Sequence, residues 1–126
     1  MARILLADDM PAVRRAVGTV LRRAGHEVVE VPHGQAARAA LGVEHFDVLL
    51  TDVLMPELDG VSLLEEVIAA PRRPATIVMS GGSGGITGTD ALRVAERTAD
   101  AALAKPFESQ ELLDTVARVL RTRGSA

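Results

Sequence analysis

The chain has 126 residues, 48% of them hydrophobic and 25% charged, which suits one domain of common size around one core. A formal net charge of −3 leaves no basic footprint for direct nucleic-acid binding, and the absence of cysteine excludes disulfides and thiolate metal sites. No apolar run approaches the roughly 20 residues of a membrane-spanning helix, so a soluble, cytoplasmic protein is expected. Because only 2% of residues are aromatic, its core must be mainly Leu, Val, Ile, Ala and Met.

In chain order, Arg3 to Ala7 reads as a short buried strand ended by Asp8 and Asp9. Met10 and Pro11 then open a helix to about Arg23: Pro suits a first turn, and an Asp just before it is a natural cap. Val13, Val17, Val20 and Leu21 recur at helical spacing, and Gly25 ends the helix. Glu27 to Val31 is a second strand, and Gly34 to Leu41 an Ala-rich helix closed by Gly42. The third strand runs from Asp47 to Thr51, and its run Val48-Leu49-Leu50 is that of a strand covered on both faces. Asp52 follows at its carboxyl end, and a loop with Pro56, Asp59 and Gly60 leads to a helix from about Val61 to Ala69. Pro71 and Pro74 stop that helix and deliver a fourth strand, Ala75 to Met79.

A glycine-rich segment follows from Gly81 to Gly88, and Thr89 or Asp90 can cap a fourth helix to about Thr98. Ala101 to Ala104 is a fifth strand. The last helix, Glu108 to about Arg121, carries Leu112, Leu113, Val116, Val119 and Leu120 on its apolar side. The chain thus reads as one domain over 1–122 with a polar tail at 123–126 and no output domain of its own. Alternation of strand and helix implies a parallel sheet with right-handed crossovers. The expected fold is a flavodoxin-like, doubly wound three-layer α/β sandwich with a five-stranded sheet in the order 2-1-3-4-5.

That topology puts its switch point between strands 1 and 3, where ligands bind in open parallel sheets. Asp8, Asp9 and Asp52 lie there, at the carboxyl ends of the two strands. Three carboxylates repel unless a hard cation neutralises them, and an all-oxygen site with room for water suits Mg²⁺ or Mn²⁺. The blander alternative makes Asp8 and Asp9 a helix cap and a partner of the helix dipole. Ser80 ends strand 4 and Lys105 ends strand 5 on the same edge. A carboxylate nucleophile, a divalent cation, a hydroxyl and a lysine together suit phosphoryl transfer onto an aspartate, Asp52. The glycine-rich segment is no nucleotide cradle, since neither the P-loop pattern nor GxGxxG is satisfied. His26, His33 and His45 show no ligand spacing and read as surface residues, while Met10, Met55 and Met79 read as core or rim around the site.

Asp8-Asp9 after strand 1, Asp52 in TDVLMPELDG, Ser80 after VM, and Lys105-Pro106-Phe107 resemble, in order and spacing, the receiver domain of two-component response regulators. The resemblance covers essentially the whole chain. It implies a switch in which Asp52 is phosphorylated by a histidine kinase or a histidine phosphotransfer protein. It implies Mg²⁺ bound by Asp9, Asp52 and the backbone carbonyl of Leu54, with Asp8 acting mainly through water. Ser80 would hydrogen-bond the phosphoryl group, Lys105 would pair with it, and the Lys105–Pro106 bond would be cis. An output partner is expected on the face made by helix 4, strand 5 and helix 5.

One departure stands out. The family usually has Tyr or Phe three residues before the lysine, and here that position is Ala102. Aromatic gating through this residue is therefore not expected, and ordering of the loop from Gly81 to Gly88 is an alternative readout. The plainer alternative for that loop is a tolerated surface insertion. Two other functions compete: a receiver-fold interaction module that is never phosphorylated, and a small phosphohydrolase with an aspartyl-phosphate intermediate. The complete Asp8, Asp9, Asp52, Ser80 and Lys105 set speaks against the first. Leu54, where such hydrolases carry a second acid, speaks against the second.

Overall fold

The computed structural model describes residues 2–52, 60–70, 73–80 and 99–124. Five strands, β1 (Arg3–Ala7), β2 (Glu27–Val31), β3 (Val48–Asp52), β4 (Ala75–Ser80) and β5 (Ala101–Ala104), form one sheet in the order β2-β1-β3-β4-β5, and every pairing is parallel. The described helices are α1 (Pro11–Arg23), α2 (Gly34–Val43), α3 (Gly60–Ala69) and a C-terminal helix (Ser109–Gly124). This is the doubly wound, flavodoxin-like three-layer arrangement expected from the alternation of elements.

Side-chain alternation along the strands divides the core between the two faces. Ile4, Leu6, Val48, Leu50, Ile77 and Met79 pack with Val17 and Leu21 of α1 and with Leu112, Val116 and Val119 of the C-terminal helix. Leu5, Ala7 and Leu49 face the other way, against Ala37 of α2 and Leu63 and Val67 of α3. Every residue of β3 is buried, because this central strand has a helical layer on either side. That double burial is why the sequence shows an unbroken apolar run there.

Local chemistry sets the element ends. After α1, the Gly25 N–H donates to the Arg22 carbonyl (3.0 Å) and the His26 N–H to that of Leu21 (3.1 Å). This Schellman closure needs a positive φ, and Gly25 has +96°. At the start of α1 the expectation fails: Met10 occupies the cap position and no side chain caps the helix. Asp8 instead accepts from the Met10 N–H at 2.9 Å, one step before the helix begins. Two helices run past their expected ends. Helix α2 continues through Gly42 to Val43, and the C-terminal helix extends to Gly124, two residues beyond the 1–122 boundary. Strands β3 and β4 each include one residue more than expected at the carboxyl end, Asp52 and Ser80. The expected fourth helix and the glycine-rich segment before it lie outside the described residues. Among the described residues, no helix is long and apolar enough to cross a membrane.

Candidate acidic site at the switch point

The site is assembled by register. Strands β1 and β3 are neighbours with Ala7 opposite Thr51, so the next residues, Asp8 and Asp52, leave adjacent strands side by side. Asp8 is fully buried and Asp52 is 7% exposed, while Asp9 is open to solvent. Carboxylate oxygens of all three lie within 4.8 Å of one another. Two strands further along, Lys105 follows β5 and reaches back over the sheet edge. Its ammonium donates to Asp8 Oδ2 and to Asp52 Oδ2, each at 2.9 Å. The Lys105–Pro106 bond is cis.

Every polar group of Asp8 has a partner. Oδ2 takes the lysine, Oδ1 the Met10 amide, the backbone N–H donates to the Val31 carbonyl at 3.2 Å, and the backbone carbonyl accepts from Arg14 Nη1 at 2.8 Å. A fully buried carboxylate requires such satisfaction, because each missing bond would leave a desolvated charge uncompensated. Burial works against the Lys105 ammonium, but its hydrogen bonds to Asp52 and then Asp8, with their charges, outweigh it. The net effect is a pKa above the ordinary 10.5, so Lys105 is a cation throughout the neutral range. Among the described residues, one ammonium faces three carboxylates at this edge. An all-oxygen donor set with surplus negative charge and one solvent-facing member fits a hard divalent cation that keeps part of its water.

Ser80 is the last residue of β4, opposite Ala104, which puts it on the same edge of the sheet as Lys105. The Leu54 carbonyl, Met55 and Asp59 lie outside the described residues, as does the loop from Gly81 to Gly88. Ala102 is exposed, on the opposite face of β5 from the buried Ala101 and Leu103. Met79 is buried in the core, whereas Met10 is 54% exposed beside the site.

Two of the three histidines, expected at the surface, are half-buried and hydrogen-bonded to backbone amides. His33 caps α2, its Nδ1 accepting from the Ala36 N–H at 3.1 Å, and His26 Nδ1 accepts from the Ala2 N–H at 3.1 Å. Histidine is not among the preferred cap residues, so only its place just before Gly34 pointed that way. His45 is exposed, as expected. The contact of Arg14 with Asp8 was also missed. The one available signal was Glu30, an acid inside a strand whose neighbours are valines.

A 2-1-3-4-5 parallel sheet with a carboxylate–lysine cluster at its switch point defines a flavodoxin-like domain whose acidic edge could hold a metal ion. Comparison with known proteins narrows that class. The sequence pattern of the response regulator receiver domain matches residues 4–117, and the chain belongs to that family. It is 35% identical to the response regulator receiver protein CpdR of Brucella abortus over 124 residues, covering 95% of this chain and 98% of that protein. It is also 35% identical to the DNA-binding transcriptional regulator NtrC of Azospirillum brasilense, over 96% of this chain but 24% of NtrC. Among solved structures, a CheY-like response regulator receiver domain protein from Methanospirillum hungatei superposes with a TM-score of 0.86 at 25% identity, covering 99% of this chain and 98% of that one. The chain spans about a quarter to about a half of the length of several curated relatives that it matches. Receiver domains are the signalling switches of two-component systems and work with histidine kinases and output domains.

Proposed function

We propose that this receiver domain is switched by phosphorylation of Asp52, with a histidine kinase or a histidine phosphotransfer protein as donor. The observation that carries the proposal is the 2.9 Å contact between the Lys105 ammonium and Asp52 Oδ2 within a cluster of three carboxylates. An Asp52 oxygen attacks phosphorus, the new O–P bond forms as the N–P bond to the donor histidine breaks, and the imidazole leaves with the electron pair. Lys105 then pairs with the phosphoryl oxygens, and the Ser80 hydroxyl hydrogen-bonds them. Asp9 and Asp52 would hold Mg²⁺, or Mn²⁺, with Asp8 acting through water and the Leu54 carbonyl as a further ligand. The cation supplies charge neutralisation for the transferred group.

The receiver domain occupies 1–122, works in the cytoplasm and transmits its state through the face made by helix 4, strand 5 and helix 5. No aromatic side chain at position 102 can take part, so the readout does not use the ring movement usual in the family.

Intact-mass analysis with acetyl phosphate tests this directly. Wild type is expected to gain one phosphoryl group only when Mg²⁺ is present, and Asp52→Asn none. No Mg²⁺-dependent gain in wild type would sink the switch and favour a non-phosphorylated interaction module. Sustained turnover of a generic phosphate ester would favour the hydrolase.

A further inference from the structure

One polar network next to the acidic site takes no part in the chemistry above, yet it ends on the backbone of the site. Arg14, in the first turns of α1, donates from Nη1 to the Asp8 carbonyl at 2.8 Å. Its Nε lies 3.6 Å from Glu30 Oε1, and both side chains are largely sheltered, at 16% and 19% exposure. The other Glu30 oxygen takes Arg22 Nη1 at 2.7 Å, so Glu30 is fixed between two arginines of α1. Space for that carboxylate exists because residue 18 is glycine: a Cβ there would stand 2.7 Å from Glu30 Oε2. Glu30 itself sits on β2, opposite Leu6 of β1. The strand that carries Asp8 is thus tied through β2 to the arginine that grips the Asp8 carbonyl.

We propose that Arg14, held by Glu30, is a positioning residue for cation binding at the acidic site. The Asp8 carbonyl is half of the peptide that joins Asp8 to Asp9. Fixing it sets the direction in which the Asp9 backbone departs, and hence where the solvent-facing Asp9 carboxylate stands relative to Asp8 and Asp52. Asp8 is otherwise held by the Met10 amide, the Val31 carbonyl and Lys105, whereas the peptide plane that leads to Asp9 is gripped by Arg14. Groups that orient metal ligands without touching the metal are a recognised determinant of affinity. Arginine suits this role, because its rigid planar fork holds a carbonyl and a carboxylate in fixed relative directions, which a flexible, freely rotating ammonium does not.

This inference rests on the reading of Asp8, Asp9 and Asp52 as a divalent-cation site, and the test separates the two. Mn²⁺ is titrated into the full chain with no phosphoryl donor, and the free-Mn²⁺ electron paramagnetic resonance signal is followed. Wild type, Arg14→Ala, Arg14→Lys and Glu30→Gln are compared, with circular dichroism and thermal melts reporting on folding. No binding by wild type overturns the site reading and the inference together. With wild type binding, Arg14→Ala is expected to weaken affinity by about tenfold or more. Loss of a nearby cation by charge alone would tighten Mn²⁺ binding, so the expected change has the opposite sign to simple electrostatics. Affinity within about twofold of wild type, or tighter, overturns the positioning role, whatever the site does. If Arg14→Ala does not fold, Arg14→Lys decides, because it keeps the charge: weakened binding by the folded variant supports the role, and unchanged binding overturns it. Unchanged binding by folded Glu30→Gln also overturns it, since loss of that charge alone would already weaken binding.

Discussion

The two ends of the sheet are both lined with charge, but they treat it differently. At the amino-end edge, Arg3 meets Glu27 and Glu44, donates to the His45 carbonyl at 2.9 Å, and lies 4.7 Å over the Phe46 ring. Asp47 takes the Arg3 N–H at 2.8 Å, and Asp100 takes the Thr76 N–H at 2.8 Å, the Thr76 hydroxyl and the Arg73 guanidinium at 3.2 Å each. The acids there either stand in water or are tied to a backbone donor. At the carboxyl-end edge the surplus negative charge is withdrawn from water: Asp8 is fully buried and shares one ammonium with Asp52. The same residue types therefore serve as staples at one edge and as a sheltered carboxylate–lysine cluster at the other. Burial of two carboxylates around one ammonium separates the two among the described residues, and a bound cation is what would relieve it.

Removing Lys105 should have the largest effect after loss of the acceptor itself. Lys105→Ala leaves two sheltered carboxylates without their shared cation, so urea unfolding in Mg²⁺-free buffer should show a loss on the order of 2–3 kcal/mol. Added Mg²⁺ should recover more stability in the variant than it adds to wild type, since it replaces the missing positive charge. Phosphorylation by acetyl phosphate should slow by roughly 10²-fold, the cost of losing one donor to developing negative charge.

The amino-end edge should behave as structure alone. Asp100→Ala deletes the acceptor of the Thr76 and Arg73 bonds and should cost about 1–3 kcal/mol, with Mn²⁺ affinity and phosphorylation unchanged. Burial acts against the Asp100 carboxylate, but its bonds to Thr76 and Arg73 hold its pKa below the ordinary 3.8. A depressed folded-state pKa contributes stability above the unfolded value and loses it as pH falls through the folded one. The stability gap between wild type and Asp100→Ala should hold near neutrality and shrink as pH falls below 3.8. A gap that grows in acid would contradict this. The smallest effect belongs to the exposed pair of Arg38 and Glu66, 2.9 Å apart between α2 and α3. Arg38→Ala should cost at most about 0.5 kcal/mol in a thermal melt.

Much of this protein was legible in one dimension. Element order, the strand order 2-1-3-4-5 and the cluster of Asp8, Asp9 and Asp52 at one edge all follow from apolar periodicity, glycine and proline punctuation and the topology of parallel sheets. The Gly25 helix end was equally readable, because a left-handed backbone favours a residue without Cβ. Helix starts were not. Asp8 could have capped α1, but its side chain turned to Lys105 and to the amide of Met10, and His33 took a capping role that propensity does not assign to it.

What the tertiary structure decided is which long side chains meet. Lys105 stands 97 residues from Asp8 and 53 from Asp52, and only the sheet register brings the three together. Arg14 reaches the Asp8 carbonyl, and Glu30 reaches Arg14, because β2 lies beside β1 and Gly18 leaves room. Local propensity acts over one or two turns of chain and therefore sets elements. Contacts of flexible, charged side chains depend on packing between elements, and no local pattern encodes them.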